Sequence, residues 1–266
     1  MDIKNIDKIK ETALAIFKDY SEKRGVFKEF QFPSEYTLPP GMKQSSEEQL
    51  LFLTLTVSLD YMRDATKLWK QSHDAWLDEE KNWIFNPKLV VQDGLEKLTT
   101  LFKEINDQRP TKDAKIWFTI CKKLLEFDGS VHSLLKSFNF KALEISNYLE
   151  LHKKDFPYLS GYKIKPLWLR MINDNGGIKL NNIEDIPLPI DVHTARMTLK
   201  IIFNEDFDGN ITEDLREKMQ KAWKIILSGT PIYPLQIDEP LWLMGKHKLL
   251  GRFMDNHNFK LPLLNQ

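Results

Sequence analysis

Helical periodicity is the feature of this chain that most constrains its fold. In residues 3–20, apolar side chains at Ile6, Ile9, Ala13 and Phe17 recur three to four positions apart, as on one face of an amphipathic helix. Similar spacing continues along the chain, without the alternation of strands and helices that a parallel sheet requires. It predicts further helices at about residues 92–106, 112–127, 131–138, 140–151, 165–173, 192–203, 213–227 and 239–254. We therefore predict an all-α fold.

The most apolar segment is LLFLTLTVSLDYMRDATKLW, at residues 50–69. Its length and composition predict one long helix in the centre of the core. Ser45 and Glu48 have the spacing of a capping box, in which each side chain bonds the other residue's backbone at a helix start. We expect this helix to begin there.

Charge neither identifies nor excludes a nucleic-acid partner. The 38 Lys and Arg residues balance 38 Asp and Glu residues, whereas nucleic-acid binding usually calls for a basic surplus. The local distribution is uneven, since residues 152–170 carry five Lys or Arg and one Asp, and residues 246–252 carry three more. Each run is either part of a phosphate-binding surface or an ordinary solvated helix face.

The single cysteine, Cys121, excludes an intramolecular disulfide and fits a reducing compartment. The first twenty residues lack the apolar block of a signal peptide, and no segment has the length of a membrane span. We expect a cytoplasmic protein that is not bound to a membrane. The six histidines form no ligand-spaced cluster with Cys121, so we expect neither a metal nor another cofactor.

Residues 151–171 predict a helical hairpin. A helix ending near Leu151 is followed by a turn that contains Gly161, which allows positive φ or a close backbone approach. The second helix then begins, and Lys165 would lie in its first turn. Exposed backbone N–H groups at such a helix start can bind phosphate. By itself, a lysine in this position is more often a solvated charge.

A long connection, residues 173–189, ends in Pro187-Leu188-Pro189 and leads to Asp191. Asp191 is a good N-cap for the next helix, at about residues 192–203. Most residues of this kind are caps and nothing more. A long structureless connection is usually functional, however, and here it would deliver Asp191.

These two segments together resemble the helix-hairpin-helix DNA glycosylases. LSGYKIKPLWLRM (159–171) followed by PLPIDVHTAR (187–196) is similar to their hairpin, Gly/Pro-rich loop and Asp. PIDVH is close to the form found in 8-oxoguanine glycosylases. PIYPLQIDEPLWLMGK (231–246) is similar to the C-terminal helix of the archaeal 8-oxoguanine glycosylases called AGOG. The resemblance covers about residues 156–203 and 231–246, and it is faint before residue 110.

The resemblance implies two helical subdomains flanking a DNA-binding cleft within one glycosylase unit, residues 1–266. It places a helical subdomain at about 30–155 and a hairpin and catalytic subdomain at about 156–266, with the N-terminal helix, 1–29, packed on the latter. Two departures are visible. Lys163 replaces the second glycine of the family hairpin, and a single cysteine cannot ligate the four-cysteine iron–sulfur cluster of the endonuclease III branch.

The resemblance also implies a bifunctional glycosylase and lyase that removes an oxidised purine, 8-oxoguanine, from damaged double-stranded DNA. Lys165 would form a Schiff base with the sugar, followed by β-elimination, and Asp191 would be the catalytic carboxylate. Candidate substrate-binding residues are Trp69 and Trp242, which would sandwich the purine, Asp238, which would bond its edge, and His193. Candidate DNA-binding residues are Gly161, Tyr162 and Lys163.

Two alternatives stay open. The chain could be a monofunctional glycosylase for alkylated or mismatched bases, in which Lys165 only binds phosphate. It could also be a non-catalytic DNA-binding module of the same fold. For His193, a packing or capping role is the more common one. We expect a monomer, associated with the nucleoid if the source is prokaryotic.

Overall fold

A computed structural model describes residues 3–29 and 38–259 of the chain. Within these ranges the structure is helical and contains no strand, only an isolated bridge between Lys141 and Asn181. The prediction of an all-α fold is confirmed. The helices are α1 (Ile6–Ser21), α2 (Glu47–Leu59), α3 (Ala65–Leu77), α4 (Pro87–Glu104), α5 (Pro110–Leu124), α6 (Val131–Ser137), α7 (Ala142–Leu151), α8 (Ile164–Asp174), α9 (Val192–Thr198), α10 (Glu213–Ile226), α11 (Asp238–His247) and α12 (Leu250–Asn256).

The contacts divide the chain into two compact units. Residues 31–185 form one, called here the hairpin unit, and residues 1–30 with 186–266 form the other, called the terminal unit. Residues 156–185 therefore pack with the residues that precede them, whereas the family resemblance implied a boundary between subdomains near residue 155. The physical reason is α8, whose Trp168 donates from Nε1 to Thr54 Oγ1 of α2 at 2.9 Å. Residues 1–2, 30–37 and 260–266 of the predicted subdomains lie outside the described residues.

Two helices replace the single long helix predicted for residues 50–69. The chain leaves α2 at Asp60, and Met62 has a left-handed backbone, with φ 51°. Asp64 then caps α3, because its side chain accepts hydrogen bonds from the backbone N–H groups of Thr66 and Lys67. The apolar pattern continued across this break, which is why periodicity alone did not reveal it. The central position of α2 is confirmed, since every residue from Gln49 to Leu59 is buried.

The predicted capping box at the start of this helix is replaced by a related pattern, in which the N-cap is one residue later and the second bond goes to the residue before it. Ser46, not Ser45, is the N-cap, and its side chain accepts from the backbone N–H of Gln49 at 3.3 Å. Ser45 has φ 59° and donates its own N–H to Gln49 Oε1 at 2.6 Å. Gln49 thus performs the reciprocal bond that the sequence motif assigned to Glu48.

The hairpin unit also holds a buried ion network at the α2–α3 connection. Arg63, with a side chain 2% exposed, donates to Asp107 at 3.0 Å and also pairs with Asp113. Arg109 lies 3.6 Å from Asp113. Burial and the neighbouring carboxylate of Asp107 raise the pKa of Asp113 to about 6, although Arg63 opposes the shift. Burial of charges is tolerated here because the groups pair with one another.

In the terminal unit, α9 and α11 pack together and α1 packs on α10 and α11. A π-helix, Leu199–Phe203, continues α9, and Trp223 of α10 donates to Thr198 Oγ1 at 2.8 Å. The helix predicted at 239–254 is interrupted by Lys248, which has φ 54°, and so becomes α11 and α12. No helix in the described part of the chain has both the length and the hydropathy needed to cross a membrane.

Candidate functional site

The predicted hairpin is formed by α7, a connection of tight turns and α8. Gly161 does not have a positive φ, whereas Tyr158 does, at 63°. The glycine is required for a different reason: its N–H donates to the carbonyl oxygen of Tyr158 at 2.8 Å, and a Cβ at this position would lie 2.9 Å from that oxygen. Of the two roles expected for Gly161, the close backbone approach is the one observed.

Tyr162 and Lys163 complete the turn before α8. Tyr162 is 45% exposed, and Lys163 Nζ lies 3.8 Å from Asp60 Oδ2. Lys163 occupies the position of the family's second glycine. Its φ of −89° is in the right-handed region, so any L-residue is accommodated there. The departure from the family motif therefore causes no backbone strain.

A cluster of aromatic and cationic side chains supports this turn from behind. The ring of Tyr158 packs against Tyr61, with 4.8 Å between ring centroids. Lys112 Nζ lies 5.3 Å from the Tyr158 ring centroid, and the Arg109 guanidinium lies 5.7 Å from it. These cation–π distances are within the range of favourable contacts. The cluster places positive charge beside the hairpin in a chain whose net charge is zero.

Lys165 lies in the first turn of α8, as predicted. Its side chain is only 13% exposed, and its Nζ donates to Oε2 of Glu150, in the last turn of α7, at 2.8 Å. The hydrogen bond from Lys165, together with its charge, lowers the pKa of Glu150 below the ordinary value. The sequence analysis did not identify Glu150, because the two positions are fifteen residues apart and the segment between them includes an irregular turn that carries no periodic signal.

Asp191 is the N-cap of α9, which confirms this part of the prediction. Its Oδ1 accepts hydrogen bonds from the backbone N–H groups of His193 at 2.8 Å and Thr194 at 2.9 Å. Both bonds fall on one oxygen, so Oδ2 is not used by the cap. The same carboxylate can therefore hold the helix start and still present a negatively charged oxygen.

His193 and Trp242 meet where α9 packs on α11. Their ring centroids are 5.9 Å apart and their planes are nearly perpendicular, at 83°. Lys246 Nζ lies 4.4 Å from the Trp242 ring centroid. Burial lowers the pKa of His193, and the charges of Arg196 and Lys246 lower it further, while Asp191 opposes them. The neutral imidazole is thereby favoured.

Gly245 allows this contact between α9 and α11. A Cβ at Gly245 would lie 2.4 Å from the backbone carbonyl oxygen of His193, closer than two unbonded atoms can approach. Arg196 NH1 donates to the Gly245 carbonyl at 3.2 Å and lies 3.4 Å from His193 Nδ1. The sequence analysis missed Gly245 and Arg196, because a close approach of two helices is a tertiary property.

The structure brings only some of the predicted site residues together. Asp238, 6% exposed, begins α11 and precedes the partly exposed Trp242 by one turn. Asp191 and His193 lie at the start of α9, which packs on α11. In the hairpin unit, the predicted residues from Gly161 to Lys165 follow one another in the chain. Trp69, on α3, is 6% exposed and packs against Phe52, with 6.0 Å between the ring centroids. Lys246, missed by the sequence analysis, could have been noticed from its spacing of one helical turn from Trp242.

Comparison with known families finds a match for the C-terminal part of the chain. Residues 163–260 match the AGOG family model, described as N-glycosylase/DNA lyase. These residues are therefore similar to the AGOG family. The match begins at Lys163 and includes Lys165, Asp191, His193, Asp238 and Trp242, but not Trp69 or Gly161. It covers less than half of the chain. No curated protein matches the sequence.

The description of this model gives the enzyme class, DNA N-glycosylase and lyase. The family that this model describes acts on DNA. The resemblance identified from the hairpin and the PIDVH segment is confirmed at the level of the family.

Proposed function

We propose that the protein removes 8-oxoguanine from damaged double-stranded DNA through a Schiff base formed by Lys165. The observation that carries this proposal is the position of Lys165. It lies within the residues that match the AGOG family, in the first turn of α8, with 13% of its side chain exposed. Lysine side chains are seldom withdrawn from solvent to this degree unless they are paired or functional.

The reaction begins with extrusion of the damaged nucleotide from the stack, which costs a few kcal/mol. The lone pair of Lys165 Nζ forms a bond to C1′ while the C1′–N9 bond breaks, and the base leaves with the bonding electrons and takes a proton from solvent. The nitrogen then loses a proton as the C1′–O4′ bond opens, which gives the imine. Loss of a C2′ proton finally expels the 3′ phosphate.

Asp191 would stabilise the positive charge that develops on the sugar as the base departs. The support for this role is local: the cap of α9 uses only Oδ1 of its carboxylate. Stacking of a flipped purine on Trp242 is worth roughly 1–3 kcal/mol, and Asp238, one turn earlier, would bond the purine edge. His193 packs edge-on against Trp242 and would hold that ring in position.

The hairpin residues Gly161, Tyr162 and Lys163 would hold the DNA backbone. Gly161 sets the turn, the half-exposed Tyr162 faces solvent, and Lys163 adds a charge at the helix start. Trp69 is proposed as the second stacking residue on the basis of the resemblance alone. We further propose that the enzyme acts as a monomer, in the nucleoid-containing cytoplasm if the source is prokaryotic.

Borohydride trapping tests the nucleophile and the lesion together. The protein is incubated with a duplex that carries one 8-oxoguanine, borohydride is added, and covalent adducts are measured for the wild type and Lys165→Gln. We expect an adduct for the wild type and none for the variant. Lys154→Gln, which removes an exposed charge from the same hairpin connection, is the matched control and should trap like the wild type.

A monofunctional glycosylase is the second candidate, and the Lys165–Glu150 ion pair favours it, because a paired ammonium is not a nucleophile. It predicts excision of the base without an adduct, in both the wild type and Lys165→Gln. If the wild type neither excises nor traps 8-oxoguanine, the proposed substrate is wrong, and duplexes with alkylated bases are the next to be tested.

A further inference from the structure

Lys165 and Glu150 form an ion pair that the glycosylase reaction does not explain. Lys165 Nζ lies 2.8 Å from Glu150 Oε2. The lysine side chain is 13% exposed, while the glutamate side chain is 69% exposed. Pairs between two exposed side chains contribute little because water screens them. Here one partner is largely withdrawn from water, so screening is weaker and the carboxylate holds the ammonium more effectively.

Two other charged groups lie near this pair. Lys153, in the turn after α7, also lowers the pKa of Glu150 through its charge. Asp60, at the end of α2, pairs with Lys163 just before α8. Within the described residues of the hairpin unit, Glu150 is the carboxylate that pairs with Lys165. Within this unit, Glu150 is therefore the side chain whose replacement removes the ion pair of Lys165.

We propose that Glu150 is a positioning residue that holds Lys165 as an ion pair in the free enzyme and restrains its attack until the pair opens. This inference rests on the proposed role of Lys165 as nucleophile. An ammonium ion has no lone pair, so attack on C1′ requires the proton of Lys165 Nζ to leave, and a carboxylate at 2.8 Å favours its retention.

The exposed position of Glu150 explains how the pair opens on DNA. Backbone phosphates that approach the hairpin repel the negatively charged carboxylate of Glu150. Because Glu150 is mostly in solvent, its side chain can rotate away without leaving a buried charge behind. The lysine is then free to lose its proton to water. Glu150 would thus limit reaction of Lys165 with other carbonyl compounds when no DNA is bound.

A chemical-reactivity measurement on the protein alone tests the restraint. The wild type and Glu150→Gln are treated with formaldehyde and borohydride over a pH series, and methylation of the Lys165 peptide is followed by mass spectrometry. We expect the pH of half-maximal reactivity to fall by about 0.5–1 unit in Glu150→Gln. At neutral pH, this corresponds to roughly three- to tenfold faster modification of Lys165.

Glu144→Gln is the matched control. Glu144 lies on the same helix and pairs with Lys141 at 2.7 Å, so this variant removes the same charge and an ion pair whose two side chains are both about half exposed. We expect it to leave the Lys165 profile unchanged. An unchanged Lys165 profile in Glu150→Gln, or an equal shift in both variants, would overturn the inference. A loss of fold would instead also raise the reactivity of Lys123, whose side chain is 11% exposed in the folded protein.

Borohydride trapping on a duplex with an abasic site then separates this inference from the proposed function. We expect Glu150→Gln to trap three- to tenfold faster than the wild type near pH 6.5 and equally fast at high pH. If the wild type traps through Lys165 and Glu150→Gln has the same pH profile, the inference about Glu150 is wrong but the proposed function is not. Failure of the wild type to trap at any pH defeats the proposed function, and with it the restraint.

Discussion

Asp191 illustrates how one side chain carries a structural and a proposed chemical role at once. Its Oδ1 accepts both backbone N–H groups at the start of α9, from His193 and Thr194. Helix capping requires an acceptor atom, whereas stabilisation of a cationic sugar requires a negative charge. The two roles can therefore be separated by a substitution that keeps the acceptor and removes the charge.

Asp191→Asn is that substitution. Because asparagine caps helices about as well as aspartate, we expect the unfolding free energy to change by less than about 1 kcal/mol. Without the charge, single-turnover excision should slow by roughly 10²-fold or more. Asp191→Ala is the control for the cap and should cost a further ~1 kcal/mol of stability. Wild-type excision rates in Asp191→Asn would contradict the proposed role.

Asp113 gives the hairpin unit a predictable response to pH. Its pKa of about 6 in the folded protein exceeds the ordinary value of ~3.9 for an unfolded chain. A raised pKa means that the folded state retains this proton more strongly. The corresponding stability is fully present below about pH 4 and is lost as pH rises through 6, by roughly 2–3 kcal/mol in total.

The comparison with Asp113→Asn isolates this contribution, because asparagine does not titrate. Unfolding free energies are measured by denaturant titration between pH 4 and 7. We expect the wild type to lose stability relative to Asp113→Asn between pH 4 and 6, and the difference to become constant above pH 6.5. A difference that is independent of pH would show that Asp113 is ionised throughout.

At the scale of elements, the contact between α9 and α11 brings the proposed purine-binding residues together. His193 lies on α9, Trp242 lies on α11, and their rings meet edge to face. Gly245 makes the approach possible, since its missing side chain leaves room for the His193 carbonyl. The geometry of Trp242 therefore depends on a residue that the ligand itself would not touch.

Gly245→Ala should destabilise the terminal unit. The added Cβ would lie 2.4 Å from a backbone oxygen, which only a shift of α9 or α11 can relieve, so we expect a loss of about 1–3 kcal/mol and weaker substrate binding. Gly251→Ala is the matched control. Gly251 is on α12, and a Cβ added there would meet no neighbouring atom within 4 Å, so alanine at this position should stabilise by roughly 0.5–1 kcal/mol. Thermal unfolding of both variants measures the difference.

At the scale of the whole molecule, a net charge of zero means that DNA binding depends on where the positive charges lie. The hairpin concentrates them, with Lys163 at the start of α8 and the Arg109 and Lys112 side chains around Tyr158. Contacts to phosphate release counterions, so each contributes to the salt dependence of binding. The salt dependence therefore distinguishes local from overall charge.

Lys163→Gln should lower the slope of log affinity against log salt concentration by about 1, with similar losses for damaged and undamaged duplexes. Lys70→Gln, on α3, removes the same charge from a lysine that is 75% exposed and paired with Asp74, and it should leave the slope unchanged. Equal effects of the two variants would mean that net charge, and not the hairpin, governs binding. Fluorescence anisotropy at several salt concentrations provides the measurement.

The local structure of the site was predictable because its signals are short in range. Helical periodicity, the cap formed by Asp191, the placement of Lys165 in the first turn of α8 and the spacing of Asp238 and Trp242 depend only on neighbouring residues. The family resemblance rests on the same segments. The break between α2 and α3 was missed, since an apolar pattern can continue across a turn whose left-handed residue, Met62, is not a glycine.

Contacts between distant segments were decided only by the tertiary structure. The pairing of Glu150 with Lys165, the approach of Gly245 to His193 and the burial of Trp69 against Phe52 each join residues whose spacing in the chain carries no periodic signal. Such contacts follow from how helices pack, because packing depends on the shapes of both surfaces at once. The sequence by itself determined which residues form helices and which chemistry they offer, and packing determined which of those residues meet.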